Sequence, residues 1–333
     1  MDKGRSDPAK AAARAVAACE AVSVTTTARL HFGFLDPSGR GPQPFGSFGL
    51  CIDRPATRLS LRRSQTSRVR GKESKRAADY LERLAATCGV AGAYDLAIAE
   101  AITPHAGLGS GTQLALAVGT ALATLEDLTL APQEIAARLG RGSRSGIGIA
   151  TFESGGAVLD AGPGDGPVPP LLRRIAFPPA WRVILIFDSR STGMHGPNET
   201  AAFAKLSAFP EVATEDLTRR ILLGAFPAIE ARDFNRFAKE VGYLQDQMGA
   251  YYSDWQGGPY VSKGVAKALD WLKSQGLTGL GQSSWGPTGF AFVATEVDGQ
   301  LLVKGLQNRA ELRGLEFALA EGRNEGALIN KVR

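Results

Sequence analysis

A glycine-rich segment followed by an apolar stretch is the feature that most constrains the fold of this chain. Residues 104–113 read Pro-His-Ala-Gly-Leu-Gly-Ser-Gly-Thr-Gln, after a strand-like segment at 94–101 and before an apolar stretch at 111–125. Glycine adopts positive φ without a steric penalty, so such a loop lets backbone amides approach a ligand closely. The first amides of a helix and its positive dipole end favour phosphate oxygens. The sequence therefore predicts a strand, a phosphate-binding loop and a buried helix, in that order.

The loop differs from a Walker loop, which has a lysine after its last glycine, because Thr112 follows Gly111 here. Taken alone, the segment is compatible with a tight structural turn as well as with an anion site. The hydroxyls of Ser110 and Thr112 suit either phosphate or magnesium. The residues that we predict to bind diphosphate in this segment are Gly107, Leu108, Gly109, Ser110, Gly111 and Thr112.

The length and composition are typical of a two-domain soluble protein. The chain has 333 residues, of which 44% are hydrophobic, enough for two sizeable cores. No apolar stretch approaches the roughly 20 residues that a membrane helix needs. Cys19, Cys51 and Cys88 are isolated, which favours reduced thiols over a disulfide framework or a zinc site. We therefore expect a cytoplasmic protein without a membrane partner.

The order of the predicted elements indicates an α+β fold in two domains, because strands and helices mix without a strict strand–helix–strand repeat. Short strands are expected at 22–34, 48–52, 57–61, 94–101, 155–159, 181–187 and 289–294, and helices at 75–87, 111–125, 214–230, 231–248 and 261–274. Residues 161–170 have the proline- and glycine-rich composition of a linker. We predict a flexible N-terminal extension at 1–21, an N-terminal domain at 22–170 and a C-terminal domain at 171–333.

A basic run at residues 54–76 contributes much of the net charge of +5 and contains only one acidic residue, Glu73. One interpretation is a nucleic-acid surface. The other is the solvated face of a strand, because Leu59 and Leu61 alternate with polar residues. The alternation favours the strand, so we do not expect a nucleic-acid partner.

Three segments resemble motifs of the GHMP kinase superfamily of small-molecule kinases. The Pro-His-Ala-Gly-Leu-Gly-Ser sequence at 104–110 resembles their phosphate loop, and residues 279–288 resemble their late glycine-rich motif. Ser145-Gly146 resembles the start of the segment that carries their catalytic aspartate. The resemblance implies a ribosomal-protein-like N-terminal α/β domain and a ferredoxin-like C-terminal α+β domain.

The third segment departs from the kinase pattern. Where the kinases read Ser-Gly-x-Asp, this chain reads Ser-Gly-Ile-Gly and ends at Gly148. Glycine has no side chain to accept a proton or to pair with a cation. The departure favours a reaction other than phosphorylation. Some kinases of the superfamily lack this aspartate, so an ATP-dependent kinase of a small alcohol remains an alternative.

Further segments, at residues 28–36, 45–50, 141–148 and 256–260, resemble one branch of the superfamily, the β-ribofuranosylaminobenzene 5′-phosphate synthases of methanopterin biosynthesis. The resemblance extends over residues 24–330. It implies that phosphoribosyl diphosphate condenses with 4-aminobenzoate or 4-hydroxybenzoate, releasing CO2 and diphosphate, in a homodimer with Mg2+ as cofactor. A third alternative, suggested by the basic run and the ribosomal-protein-like fold, is a non-enzymatic anion- or RNA-binding protein.

The candidate catalytic residues are Arg29, His31 and Arg144. Arginine binds carboxylate and phosphate through two parallel hydrogen bonds, so we expect Arg29, Arg141 and Arg144 to bind anions, with surface salt bridges as the alternative. His31 is interpreted either as a substrate contact or as a core histidine with a satisfied hydrogen bond.

The remaining candidates are serines, one tryptophan and two carboxylates. Trp285 either stacks on an aromatic substrate or packs between the domains. Asp36 and Glu153, together with Ser110, are the predicted magnesium ligands, although Glu153 is equally compatible with a structural role. The further residues predicted to line the substrate site are Ser143, Ser145, Ser283 and Ser284.

Overall fold

The structure, a computed structural model, describes residues 20–41, 44–194 and 196–332. The predicted N-terminal extension lies outside these residues except for its last two positions, and the first strand begins at Ala21. The strands are β1 (Ala21–Asp36), β2 (Phe45–Ser64), β3 (Arg68–Gly71), β4 (Ala93–Glu100), β5 (Ala157–Asp160), β6 (Leu171–Ile175), β7 (Arg182–Asp188), β8 (Leu280–Gln282), β9 (Gly289–Val293), β10 (Leu315–Glu321) and β11 (Leu328–Val332).

The helices lie between these strands, singly or in succession, with five in a row between β7 and β8. They are α1 (Ser74–Thr87), α2 (Ser110–Leu125), α3 (Pro132–Arg138), α4 (Ile147–Ser154), α5 (Gly196–Lys205), α6 (Glu211–Arg220), α7 (Phe226–Ala231), α8 (Phe234–Gln256), α9 (Lys263–Ser274) and α10 (Glu296–Gln307). A π-helical turn at Ile221–Ala225 joins α6 to α7. No helix of the described ranges is long and apolar enough to cross a membrane.

The strands form two sheets, which confirms the predicted α+β fold in two parts. The first sheet has seven strands: the order β11-β1-β2-β4-β3, with β5 paired to β2 and β6 paired to β5. The second sheet has four antiparallel strands in the order β10-β7-β9-β8. When the four strands of this sheet are numbered along the chain, their order is 4-1-3-2, the order of the predicted ferredoxin-like domain.

The observed sheets differ from the predicted layout in two details. The short strands expected at 48–52 and 57–61 form one strand, β2, because β1 pairs with it on both sides of Pro55. The predicted domain boundary at residue 170 does not follow the sheets, since β6 and β11 both belong to the first sheet. The proline-rich segment 161–170 connects β5 to β6 within that sheet, and β11 covers the edge of β1.

Buried aromatic residues join the two sheets into one core. The ring of Phe32 in β1 lies 5.0 Å from Phe48 in β2, and 5.5 and 5.6 Å from Phe290 and Phe292 in β9. All four rings are almost completely buried. Because protein cores are close-packed, this cluster fixes β1, and the residues that follow it, against the second sheet.

The structure supports the interpretation of the basic run as a strand with one solvated face. Leu59 and Leu61 of β2 are buried, whereas the arginines of the same strand face solvent. Arg58 pairs with Glu100 at 2.9 Å, and Arg62 pairs with Asp95 at 2.8 Å. The charges of the run are therefore partly neutralised by acidic residues of β4.

Gln113 links three elements of the first domain. Its side chain is fully buried, accepts a hydrogen bond from Thr26 Oγ1 in β1 at 2.5 Å, and donates one to the Gly148 carbonyl in α4 at 2.7 Å. Leaving a buried hydroxyl and carbonyl without partners costs about 1–3 kcal/mol per group. This glutamine therefore holds the starts of α2 and α4 together.

We predict that Gln113→Met lowers the free energy of unfolding by about 2 kcal/mol, because methionine fills the space but leaves the buried Thr26 hydroxyl without its acceptor. Urea denaturation measures the change. The matched control is Gln300→Met on the exposed face of α10, where a change within about 0.5 kcal/mol is expected. Equal effects at the two positions would show that the buried network contributes nothing.

Candidate active site

The start of α2 is built to receive an anion. Gly109, the residue before the helix, has φ 80° and ψ 15° in the left-handed region, and no side chain caps it. The first helical hydrogen bond runs from the Gln113 amide to the Gly109 carbonyl at 3.0 Å. The amides of residues 110–112 therefore precede the helical ladder and point out of the helix start. This arrangement agrees with the predicted phosphate loop.

Two arginines lie against this first turn. A Cβ added to Gly109 would lie 3.3 Å from the Arg29 guanidinium carbon, and one added to Gly111 would lie 3.4 Å from that of Arg141. Arg29 Nη1 donates to the Gly107 carbonyl at 2.6 Å. Guanidinium groups placed beside a helix N-terminus add to its positive potential, which favours an anion with several oxygens.

Arg141 is held by an aromatic residue and not by an acid. Its guanidinium donates to the Tyr80 hydroxyl and lies 5.3 Å from the centre of that ring. Within the described part of the chain, Arg141 forms no ion pair with a carboxylate, and its buried Nε has no hydrogen-bond partner. The alternative interpretation, in which Arg141 forms a surface salt bridge, is therefore not supported.

The phosphate loop is packed directly against two other backbone segments. A Cβ on Gly107 would lie 2.1 Å from the Ser283 carbonyl oxygen, and one on Gly286 would lie 2.2 Å from the Gly107 nitrogen. A Cβ on Gly193, in the loop after β7, would lie 2.5 Å from the Trp285 carbonyl oxygen. These three glycines leave no room for any side chain. The close approach explains why the late glycine-rich motif accompanies the phosphate loop.

Ser283 connects this packed region to β1. Its buried hydroxyl accepts from the His31 amide at 3.0 Å and donates to the Gly107 carbonyl at 2.8 Å. The Ser284 amide in turn donates to the His31 carbonyl at 3.0 Å. Since the Ser283 hydroxyl is used inside the protein, we assign it a positioning role instead of the predicted contact with substrate.

His31 lies at an irregular part of β1, where the register with β2 shifts on both sides of residues 29–31. Such irregularities re-aim side chains near active sites. The imidazole is buried and packs edge-on against Phe34, with ring centres 4.7 Å apart. Burial, together with the charge of Arg29, lowers the pKa of His31 to about 3. The imidazole is therefore neutral at physiological pH.

Aromatic side chains form one wall beside His31. The Trp285 ring lies 4.4 Å from Tyr252 and 5.4 Å from Phe203, measured between ring centres. The Arg144 guanidinium carbon lies 4.3 Å from the centre of the Phe203 ring. Trp285 is almost fully buried, and the two rings packed on it belong to α5 and α8. We call Phe34, Phe203, Tyr252 and Trp285 the aromatic wall.

A buried carboxylate that the sequence did not reveal fixes the start of α4. Asp160, at the end of β5, accepts hydrogen bonds from the amides of Ser47, Gly146 and Gly162 at 2.7–3.0 Å. It also accepts from the Ser145 hydroxyl at 3.2 Å. Burial raises the pKa of Asp160 against the opposing effect of these hydrogen bonds. Ser145 is thus part of a structural network, whereas Ser143 is exposed.

Gly148 faces the first turn of α2. A Cβ at this position would lie 3.1 Å from Thr112 Cγ2. The position where the kinase pattern has an aspartate therefore lies beside the candidate anion site and is occupied by backbone alone.

The three predicted magnesium ligands do not converge. Asp36 accepts hydrogen bonds from Ser38 and from the Gly41 amide, within its own loop. Glu153 is exposed near the end of α4, and Ser110 lies at the start of α2. In the part of the chain that the structure describes, no three His, Cys, Asp or Glu residues form a group that could hold a metal ion. Mg2+ prefers carboxylate ligands, and this donor set does not fit it.

A cavity of about 890 Å3, with Asp160 in its lining, lies between the β1–β2 loop and α6. Its walls include Leu35, Phe45, Phe209 and Leu222. Such mainly apolar walls suit an organic molecule better than a diphosphate.

Two family descriptions match the chain. The family described as GHMP kinases N terminal domain matches residues 73–156, and GHMP kinases C terminal matches residues 225–311, together about half of the chain. Among curated proteins, the β-ribofuranosylphenol 5′-phosphate synthases of Archaeoglobus fulgidus and Methanothermobacter thermautotrophicus are each 28% identical to it. The alignments cover 91% and 92% of this chain and 98% of each relative.

Solved structures agree on the fold. Homoserine kinase from Cytophaga hutchinsonii superposes with a TM-score of 0.66 at 15% identity, covering 93% of this chain and 98% of that one. Mevalonate diphosphate decarboxylase from Staphylococcus aureus gives a TM-score of 0.66 at 14% identity, covering 94% and 98%. Enzymes with different reactions thus share this architecture.

We predict that Gly109→Val weakens the binding of inorganic diphosphate roughly 10- to 100-fold, because a branched side chain at positive φ displaces the Arg29 guanidinium. Isothermal titration calorimetry measures the dissociation constant. The control is Gly276→Val, which imposes a similar backbone strain at φ +89° with no atom within 4 Å of the new Cβ. An unchanged affinity in the Gly109 variant would remove the loop from the anion site.

Proposed function

This chain belongs to the GHMP kinase superfamily, and on that premise we propose that it transfers a phosphoribosyl group and does not phosphorylate its substrate. The reaction joins phosphoribosyl diphosphate to 4-hydroxybenzoate or 4-aminobenzoate and releases CO2 and diphosphate. One observation carries the proposal: the helix start lies between Arg29 and Arg141, while a glycine stands where the kinases place their aspartate. The names of the curated relatives support the same reaction.

The chemistry of the proposed reaction matches the charges of the site. The bond between the anomeric carbon and the diphosphate oxygen breaks, and the diphosphate leaves with the electron pair. The first amides of α2 and the guanidiniums of Arg29 and Arg141 stabilise the charge that develops on it. Since these groups are held in place before the reaction, little reorganisation is needed.

The second half of the reaction needs no strong base at position 148. The ring carbon that carries the carboxylate forms a bond to the anomeric carbon of the ribosyl cation. The bond to the carboxylate then breaks, CO2 leaves, and the electron pair returns to the ring. Because no proton leaves that carbon, Gly148 is compatible with this reaction, whereas phosphorylation of an alcohol is served by a proton acceptor.

The other features of the proposal rest only on the resemblance to the synthase branch of the superfamily. Homodimeric assembly, a cytoplasmic location and a place in methanopterin biosynthesis stay predictions. An RNA-binding function receives less support, because Arg58 and Arg62 of the basic run pair with acidic residues.

Carboxyl-labelled 4-hydroxybenzoate tests the reaction directly. We expect the purified protein to release labelled CO2 in a one-to-one ratio with diphosphate when phosphoribosyl diphosphate is added. Formation of ADP from ATP and a small alcohol, without CO2 release, would establish the kinase alternative. Salt-sensitive RNA binding without either activity would favour the non-enzymatic one.

We predict that Gly148→Asp weakens the binding of phosphoribosyl diphosphate roughly 100-fold and creates no kinase activity. Two like charges 4 Å apart repel by about 4 kcal/mol at an effective dielectric of 20. If partial screening leaves about two thirds of this, roughly 2.7 kcal/mol, the loss of affinity is about 100-fold. Gly148→Ala is the neutral control, since its methyl group meets Thr112 at 3.1 Å and needs only a small shift. Equal affinities in the Asp and Ala variants would show that position 148 does not face the anion.

A further inference from the structure

Among the residues that the structure describes, His31 and Trp285 each place near the aromatic wall a buried polar atom that has no hydrogen-bond partner. The two atoms are His31 Nδ1 and Trp285 Nε1. Both residues are nearly inaccessible, with 3% and 4% of their surface exposed. An unsatisfied buried donor or acceptor costs about 1–3 kcal/mol, so native proteins rarely keep one without a reason. Finding two on neighbouring side chains points to a partner that the protein itself does not supply.

His31 and Trp285 line the same pocket. Its volume is about 20 Å3, enough for one water-sized group. The other walls come from β1, from α8 and from the turn at 282–285, including Phe34, Met248 and Tyr252. The pocket therefore admits a single polar substituent of a ligand but not an aromatic ring.

The two atoms offer complementary hydrogen bonds. An indole N–H is only a donor, whereas a neutral imidazole has one donor and one acceptor nitrogen. The low pKa of His31, about 3, keeps the ring neutral. With the proton on Nε2, Nδ1 is an acceptor. A group that both donates and accepts, such as a hydroxyl, satisfies the two atoms together.

We propose that His31 Nδ1 and Trp285 Nε1 together bind the para substituent of the acceptor benzoate and select a hydroxyl over an amine. This inference rests on the proposed function. A phenolic hydroxyl donates to His31 and accepts from Trp285. An aromatic amine donates to His31 but accepts poorly, because its lone pair is delocalised into the ring, so it leaves the Trp285 N–H unsatisfied. The pair is thus the specificity determinant for 4-hydroxybenzoate.

The same contact assists the bond-forming step. When the ring carbon attacks the ribosyl cation, the para oxygen supplies electron density to the ring and its O–H becomes more acidic. The hydrogen bond to His31 then strengthens as the charge develops, which stabilises the transition state more than the bound substrate. The proton stays on the oxygen in the product, so no net proton transfer is required.

Binding constants of 4-hydroxybenzoate and 4-aminobenzoate, measured by calorimetry on the full chain, test the pair. We expect the unaltered protein to prefer the hydroxyl compound about tenfold, the value of one hydrogen bond. Trp285→Phe weakens 4-hydroxybenzoate about tenfold and leaves 4-aminobenzoate unchanged. His31→Phe weakens both compounds, because both donate to Nδ1. Trp181→Phe, which removes a buried indole that stacks on Phe237, is the control and changes neither constant.

A measurement on the unaltered protein covers the case in which a variant fails to fold. The Trp285 indole N–H resonance should shift on addition of 4-hydroxybenzoate and stay in place with 4-aminobenzoate. The proposed role of His31 and Trp285 would be overturned if the protein bound the two compounds equally or bound neither. It would also be overturned if Trp285→Phe lowered the affinity for both compounds by the same factor. Selective binding without CO2 release would contradict only the proposed reaction. CO2 release with a preference between the two benzoates that is unchanged in Trp285→Phe would contradict only the proposed role of His31 and Trp285.

Discussion

The contact between three backbone segments at Gly107, Gly193 and Gly286 is the constraint on which the rest of the site depends. No side chain fits at these positions, so the phosphate loop, the loop after β7 and the late turn lie directly on one another. Ser283 extends the contact to His31 in β1. The start of α2 is therefore fixed against both sheets, and the anion site and the aromatic wall keep one relative position.

Within this frame the balance of charges decides the chemistry. Arg29 and Arg141 lie against an uncapped helix start, Gly148 stands beside it where the kinases have an aspartate, and the predicted acidic ligand Asp36 is hydrogen-bonded within its own loop. A site that gathers positive charge without a proton acceptor stabilises a departing anion better than it activates a hydroxyl. The fold of a kinase thus suits the proposed transfer, in which diphosphate is the leaving group.

The sequence predicted what depends on local pattern. The phosphate loop, the buried helix α2 and the strand alternation at Leu59 and Leu61 follow from glycine spacing and hydrophobic periodicity. Contacts created by strand pairing were not predictable in this way. Asp160 meets Ser47 across 113 residues because β5 pairs with β2, and the composition after Asp160 resembles a linker. Asp36 was predicted as a metal ligand, although Asp is also a common turn residue; in the structure it accepts hydrogen bonds from Ser38 and Gly41 in the turn after β1.

The central claim is that the start of α2 holds the diphosphate of phosphoribosyl diphosphate, and a crystal structure of the protein with that compound tests it most directly. We expect the diphosphate oxygens within hydrogen-bond distance of the amides of residues 110–112 and of the guanidiniums of Arg29 and Arg141. A diphosphate bound in the cavity of about 890 Å3 between the β1–β2 loop and α6, with the helix start empty, would contradict the account.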